Sequence, residues 1–344
     1  MRLLFFTQAL DTDDPILSVY ARWVSEFSRH FEFITVVCLK VGEYSLPKNI
    51  RAFSLGKESG ESRLKYIWNF YYFIFKERKG DDAVFVHMNQ EYILLGGLFW
   101  KMMGKKIYMW RNHHAGSIFT DIAVAFCTKV FCTSKFSYTA KYKKTAIMPV
   151  GIDTGFFVKK PEIAKIPRSI LFLSRMAPVK KPHIFIRALA LLKNRGISFR
   201  ASFFGDPLSA DERYYNSLKE MVALEGLVEL VRFYPGVSND QTVEIFNEHE
   251  IFVNLSPSGM YDKTIFEAMA CETMILATNK NLTGLIPESF TAMEDDAENI
   301  AMKLEKLLAF SSDEKTKWGS ELRRVAVEHH SLRELGNKLA TLVS

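Results

Sequence analysis

Short apolar runs alternate along the whole chain with longer amphipathic stretches. Residues 3–6, 33–38, 83–87, 107–110, 130–133 and 146–150 are runs dominated by Leu, Phe, Val and Ile. Such runs, apolar at successive positions, predict strands buried on both faces of a parallel sheet. Helical periodicity fills the intervals at about 17–30, 62–79, 91–103, 117–127 and 135–142. The pattern then restarts. Strands are expected at 170–174, 199–204, 228–233, 251–255 and 274–277, with helices at about 182–195, 211–225, 240–248, 263–271 and 295–310. Residues 313–343 are helical in character, with a break near His329-His330-Ser331. Repeated βα alternation implies an α/β chain with doubly wound parallel sheets. The connector from Gly151-Ile152-Asp153-Thr154-Gly155 to Pro167 follows neither period and is the expected hinge. The expected organisation is a Rossmann-like domain at 1–152, a second at 153–328, and a C-terminal helix at 329–344 packing back toward the first. Two such halves would face each other across a ligand cleft. Ligands of open α/β sheets sit beyond the carboxyl ends of strands, so residues just after strands carry the most information.

Composition narrows this picture. A chain of 344 residues, 48% hydrophobic and 24% charged, suits two globular domains and excludes a disordered or collagen-like one. The cysteines at 38, 127, 132 and 271 form no Cys-x-x-Cys pair. They are read as buried thiols of a reducing compartment, and a cytoplasmic location is expected. The opening Met1-Arg2-Leu3-Leu4-Phe5-Phe6 is too short for the apolar core of a signal peptide, and no run of about 18 apolar residues predicts a membrane span. Charge is uneven. Residues 1–150 hold 21 Lys and Arg against 13 Asp and Glu, while the rest holds 24 against 26. A basic first half suggests an acidic surface or ligand. No nucleic-acid recognition motif accompanies it. Aromatic and basic residues interleave from Lys65-Tyr66-Ile67-Trp68 to Lys76-Glu77-Arg78-Lys79, which suits peripheral contact with an anionic membrane face, while a core helix with a solvated basic rim is the plainer reading.

Two segments after strands in the second half could hold a diphosphate. The first is Ser174-Arg175-Met176-Ala177-Pro178-Val179-Lys180-Lys181-Pro182, an Arg and a Lys between a strand end and a helix start. The guanidinium fork, the ammonium and the helix dipole all attract phosphate, and Pro182 can occupy the first helical position. A basic solvated loop is the plainer reading. No P-loop spacing is present. The second is Ser256-Pro257-Ser258-Gly259-Met260-Tyr261-Asp262-Lys263-Thr264-Ile265-Phe266-Glu267, a small polar loop meeting a helix near Lys263. The helix N-terminus can bind phosphate oxygens. Glu267 can accept from ribose hydroxyls, or it simply pairs with Lys263 one turn earlier.

In order along the chain, these segments resemble the donor-binding elements of retaining GT-B glycosyltransferases of family 4 (group 1). That family carries a Gly-Arg-x-x-x-x-Lys loop and a Glu-x7-Glu motif followed by Ala-Met-Ala-x-Gly. Arg175 and Lys180 match the basic pair, and Phe266-Glu267-Ala268-Met269-Ala270 matches the second Glu with its Ala-Met-Ala. Gly205-Asp206-Pro207 is similar to the family's Gly-rich loop after the second donor-domain strand. Phe233-Tyr234-Pro235-Gly236-Val237 is similar to the loop contacting the nucleotide base, and Gly151-Ile152-Asp153-Thr154-Gly155-Phe156-Phe157 to an interdomain signature. The resemblance implies a GT-B fold, transfer of a sugar from a UDP- or GDP-sugar to a glycan or lipid-linked acceptor with retention, and no permanently bound cofactor. It implies donor contacts from Arg175, Lys180, Gly205, Asp206, Tyr234, Pro235, Gly259, Met260, Lys263, Thr264 and Glu267. Arg175, Lys180 and the helix start at Lys263-Thr264 would stabilise the departing diphosphate without metal. The family also places a His after the strand at 107–110, facing the donor sugar. In Arg111-Asn112-His113-His114-Ala115-Gly116 that residue is His113, with His114 the second choice. The plainer reading is a capping or surface pair. A His doublet is not expected to project both rings the same way, so a two-His metal site is not expected.

The sequence departs from the family at two points. Gly259 stands where the first Glu of the motif belongs, and Asp262 is the nearest replacement acceptor for the donor sugar. The family's Gly-Gly after the first strand is replaced by Asp13-Asp14-Pro15-Ile16-Leu17-Ser18, so either the backbone approaches the donor less closely or Ser18 takes part of that role. Asp11-Thr12-Asp13 spells the Asp-x-Asp of metal-dependent GT-A enzymes but follows the first strand, so it is read as a loop, helix-capping or acceptor-contacting segment. Gly259 also motivates an alternative: a non-catalytic GT-B module that binds nucleotide sugar or glycan.

Overall fold

A computed structural model of the chain describes residues 1–12, 17 and 19–343. Asp13 and Ser18 lie outside the described residues. The chain divides into two compact units, Met1–Gly151 with Leu332–Ser344, and Ile152–Ser331.

The first unit is built on seven parallel strands: β1 (Arg2–Leu10), β2 (Phe33–Val41), β3 (Ile50–Ser54), β4 (Ala83–His87), β5 (Lys106–Trp110), β6 (Lys129–Cys132) and β7 (Thr145–Ile147). Their spatial order is β3-β2-β1-β4-β5-β6-β7. Helices α1 (Val19–Phe27), α2 (Arg63–Lys76), α3 (Glu91–Met102) and α4 (Ile118–Phe126) cover its faces. The unbroken apolar strands have a direct cause. Leu3 and Phe5 enter one core with Trp23, Val24 and Phe27, while Leu4 and Phe6 enter the other with Phe70, Phe73 and Trp100. Alternate residues thus serve opposite layers, and both layers are dry.

The second unit has five parallel strands, β8 (Ser169–Leu173), β9 (Arg200–Phe204), β10 (Val231–Tyr234), β11 (Ile251–Asn254) and β12 (Met274–Ala277), in the order β10-β9-β8-β11-β12. Its helices are α5 (Pro182–Asn194), α6 (Glu212–Leu224), α7 (Thr242–Glu248), α8 (Lys263–Ala270), α9 (Ala297–Leu308) and α10 (Ser312–His330). The last helix, α11 (Leu332–Val343), belongs to the first unit, where Leu335, Leu339 and Val343 join the core containing α1. Both units are therefore Rossmann-like.

Two element expectations are corrected. Strand β3 was not anticipated: it is an edge strand reading Ile-Arg-Ala-Phe-Ser with Arg51 exposed, so it carries no apolar run. The expected helix at 135–142 is only a 3-10 turn, Tyr138–Lys141. All four cysteines are buried free thiols. Among the described residues, no helix is long and apolar enough to cross a membrane.

Candidate active site

In the second unit, β8 and β11 are neighbours, and the sheet order reverses between them. Crossovers leave these two strands in opposite directions, so their carboxyl ends open a crevice at the topological switch point. The loop after β8 carries Arg175 and Lys180, and the loop after β11 carries Ser256 to Asp262. A 3-10 turn, Pro178–Lys180, turns the first loop. Lys181 follows in the left-handed region (φ 57), and Pro182 opens α5 as expected of a first helical residue. Lys180 and Lys181 then diverge. Lys181 Nζ pairs with Asp295 at 2.9 Å. Lys180 Nζ crosses the crevice, donating to Ser256 Oγ at 2.9 Å and Asp262 Oδ2 at 2.6 Å.

Asp262 caps α8. Its Oδ1 accepts from the Thr264 hydroxyl at 2.9 Å and faces the Thr264 backbone N–H at 3.4 Å, while Ser256 Oγ donates to Oδ2 at 2.8 Å. Burial alone would raise this carboxyl, but Lys180, Ser256 and Thr264 outweigh it and hold Asp262 well below the usual carboxylate range. Both Asp262 oxygens are thus engaged inside the loop. Asn254, the last residue of β11, donates to Thr264 Oγ1 at 3.2 Å and accepts from the Ser256 N–H at 3.0 Å, which fixes the loop from below. Arg175 is exposed, and its guanidinium has no ion pair among the described residues.

A shelf of three strand ends adjoins the crevice. The Ser174 N–H donates to Phe204 O, the Met176 N–H to Asp206 O, and the Gly205 N–H to Tyr234 O. Asp206 Oδ2 accepts from the Gly236 N–H at 3.0 Å, and Tyr234 stacks on Phe204 at 4.5 Å. Pro235 is exposed beside them. Gly205 (φ +144) lies where an added Cβ would come 1.9 Å from Ser174 O, so only glycine lets the loops after β8 and β9 touch.

Gly259 is buried and Met260 exposed, in a loop braced from outside the motif. Asn279 Nδ2 donates to Met260 O, Asn281 Nδ2 to Ser258 O, and the Ser258 hydroxyl to Glu294 Oε1, all at 2.8–2.9 Å. Lys263 and Thr264 are half-buried at the start of α8. Glu267, expected to be reachable by a ribose, is 1% exposed, and its Oε1 accepts from Asn239 Nδ2 at 3.2 Å. Arg323 on α10 donates to Ala270 O at the other end of α8, and to Phe157 O and Thr154 O. These cations and dipoles share one logic, positive charge at the C-terminus of α8 and a carboxylate cap at its N-terminus. Asn239, Ser256, Asn279, Asn281, Glu294 and Arg323 were not anticipated.

In the first unit, His113 is exposed after β5, with Nδ1 3.0 Å from both the N–H and the carbonyl of Ala115. Its ring stacks on that of His114 at 4.6 Å, correcting the expectation that the doublet would diverge. No cluster of three or more His, Cys, Asp or Glu with metal-binding geometry exists among the described residues. Asp11 pairs with Lys40 at 3.2 Å.

The family model for glycosyl transferases group 1 matches residues 153–324, half of the chain. The chain belongs to this family. The match spans the residues from Arg175 to Glu267. Among similar curated proteins, a D-inositol 3-phosphate glycosyltransferase of Streptomyces griseus is 30% identical over 121 residues, covering 34% of this chain and 25% of that protein. A putative colanic acid biosynthesis glycosyltransferase of Escherichia coli, WcaL, is 25% identical over 215 residues, covering 58% and 51%. This group 1 chain thus aligns with about a quarter to a half of the length of such relatives. Among solved structures, Anabaena HepE in complex with UDP superposes with TM-score 0.79 at 16% identity, covering 99% of each chain. Sucrose-phosphate synthase from Thermosynechococcus elongatus gives 0.78 at 13%, covering 99% and 98%. At these identities the likeness establishes the fold, which is GT-B.

Proposed function

We propose that this chain transfers a sugar from a nucleotide-diphospho-sugar to a glycan or lipid-linked acceptor, with retention and without a metal. The observation that carries this reading is Lys180, held across the switch point against the start of α8. When the anomeric C–O bond breaks, the diphosphate leaves with the bonding pair. Lys180, Arg175 and the positive end of α8 meet that charge, already oriented before the reaction. The sugar passes through an oxocarbenium-like state, and the acceptor hydroxyl oxygen bonds to the anomeric carbon on the face the diphosphate left while its proton passes to the departing diphosphate oxygen. Asp262 then acts first as the residue that positions Lys180 and caps α8. To contact the sugar, its Oδ2 would have to leave Lys180 and Ser256. Glu267 takes the ribose once Asn239 yields its place. His113 is the residue we assign to the donor sugar, on the family resemblance alone. A UDP-sugar is the first donor to test, since HepE is described with UDP; a GDP-sugar is the second. The test follows nucleotide release with and without candidate acceptors, and the anomeric configuration of the product by NMR. Acceptor-dependent release with retained configuration, unchanged by a chelator, supports the reading. Saturable donor binding without any transfer would favour a non-catalytic module instead.

The acceptor side favours an anionic bilayer. On α2, Leu64, Trp68 and Tyr72 form a stripe at helical spacing, with Leu64 80% and Trp68 70% exposed, while Phe70, Phe73 and Ile74 fill the core behind them. Phe99 of α3 packs against Tyr71 and Phe75 of α2, and Leu98 and Met102 of α3 are also exposed. Lys65, Lys76, Arg78, Lys79 and Lys101 occur on or just beyond these two helices. Apolar residues for the acyl boundary and cations for headgroups suit peripheral docking. Co-sedimentation is expected with anionic but not neutral vesicles. Reversing Lys76, Arg78 and Lys79 to Glu should abolish it, each cation contributing about 1 kcal/mol. No vesicle binding by the intact chain would reject the docking surface.

A further inference from the structure

The second unit holds a polar cavity that shares only Tyr234 with the residues of the sugar-transfer reading. Ala201, Phe203, Val231 and Phe233 point to one face of the sheet, where Phe203 packs on Phe185 of α5 and on Phe233. The alternate residues Arg200, Ser202, Arg232 and Tyr234 therefore share the opposite face. The crossover from β10 to β11 is α7, only seven residues long. A cavity of about 260 Å³ lies here, lined by these four side chains with Ile166, Ser169 and Glu229.

Register makes the cluster tight. Arg232 sits opposite Ser202, on neighbouring parallel strands, and Arg200 lies one pleat away on the same face. Both arginines are exposed, and an anion held between them would offset the repulsion that water only screens. Among the described residues, the polar ends of Arg200, Ser202, Arg232 and Tyr234 have no hydrogen-bond or ion-pair partner. Four donor side chains therefore line one cavity with none of them hydrogen-bonded. Glu229 is the one carboxylate among the described lining residues.

We propose that this cavity binds a small phosphate monoester, a phosphorylated sugar or polyol. The phosphoryl dianion lies between Arg200 and Arg232, with the hydroxyls of Ser202 and Tyr234 donating to its oxygens. Glu229 accepts from a ligand hydroxyl. A volume near the lower end of small-molecule pockets, about 300 Å³, suits a monosaccharide phosphate and is too small for a whole nucleotide sugar. The site is distinct from the crevice of Arg175, Lys180 and Asp262.

Calorimetric titration of the full chain at fixed ionic strength tests this, with glucose 6-phosphate, inorganic phosphate and glucose as probes. Glucose 6-phosphate is expected to saturate, inorganic phosphate to bind more weakly, and glucose not to bind. Arg200→Gln or Arg232→Gln should each weaken glucose 6-phosphate about tenfold or more, while Arg175→Gln leaves it unchanged. Unchanged circular dichroism and thermal unfolding show that each variant is folded. The proposal is overturned if neither phosphate probe saturates below about 10 mM. It is equally overturned if both arginine variants bind as the native chain does. Equal affinity for inorganic phosphate and glucose 6-phosphate would remove the sugar from the assignment.

Discussion

Replacing Lys180 with Ala is expected to lower kcat/KM by about a hundredfold or more, because a preoriented cation at the departing charge typically supplies about 3 kcal/mol of transition-state stabilisation. The same change strips Asp262 of its cation. Their side chains are 21% and 14% exposed, so the folded state should lose about 2 kcal/mol at neutral pH. The pH dependence separates the two effects. Asp262 is held below the ordinary carboxylate range, so its contribution is fully present above the unfolded value of about 3.9 and is lost as pH falls through the depressed folded value. The stability gap between native chain and variant should therefore be full at pH 6 and shrink below about pH 4. The kinetic gap at pH 7 should persist where thermal unfolding shows both proteins folded. A Lys180→Ala enzyme with native kcat/KM would remove Lys180 from the chemistry.

Gly205→Ala is expected to be the most damaging single methyl group in the second unit. The new Cβ would stand 1.9 Å from Ser174 O, at a φ of +144 that side chains rarely adopt. Backbone must move, and the backbone that moves carries the hydrogen bonds joining the loops after β8, β9 and β10. A loss of about 3 kcal/mol or more is expected, or roughly 10 °C in Tm, together with weakened donor binding. Gly196 gives the comparison, since it also has positive φ (+72) but nothing within 4 Å of an added Cβ. Gly196→Ala should cost only the conformational strain, about 1 kcal/mol. Equal melting of the two variants would show that the Gly205–Ser174 approach is not what holds the shelf.

The strands were legible because both sheets are covered on both faces, which leaves apolar residues at successive positions. Strand β4 at Ala83–His87 and strand β12 at Met274–Ala277 match the apolar runs residue for residue. Strand β3 was not legible, because an edge strand with Arg51 turned to solvent has no such run. Pro182 at the start of α5 and the Asp262-Lys263 junction at the start of α8 were readable from local chemistry alone. The bond from Lys180 to Asp262 was not. These residues are 82 positions apart, and only the placing of β8 beside β11 brings them together. The brace from Asn279, Asn281 and Glu294 was hidden for the same reason, and Asn239 over Glu267 likewise. Asn254 and Ser256, by contrast, are polar residues at the end of a buried strand, a signal open to sequence reading.

In the proposed reading, the cations of the loop after β8 grip a nucleotide diphosphate at the switch point of the second unit. Arg175 is the sharpest probe, because its exposed side chain carries no structural bond among the described residues whose loss would confuse the result. Equilibrium titration of UDP- and GDP-sugars into the native chain and into Arg175→Gln is the measurement. One nucleotide class is expected to bind the native chain saturably, with binding weakened about tenfold or more in the variant at unchanged Tm. Equal affinity for the two proteins, or no binding of either nucleotide class to the native chain, would contradict it.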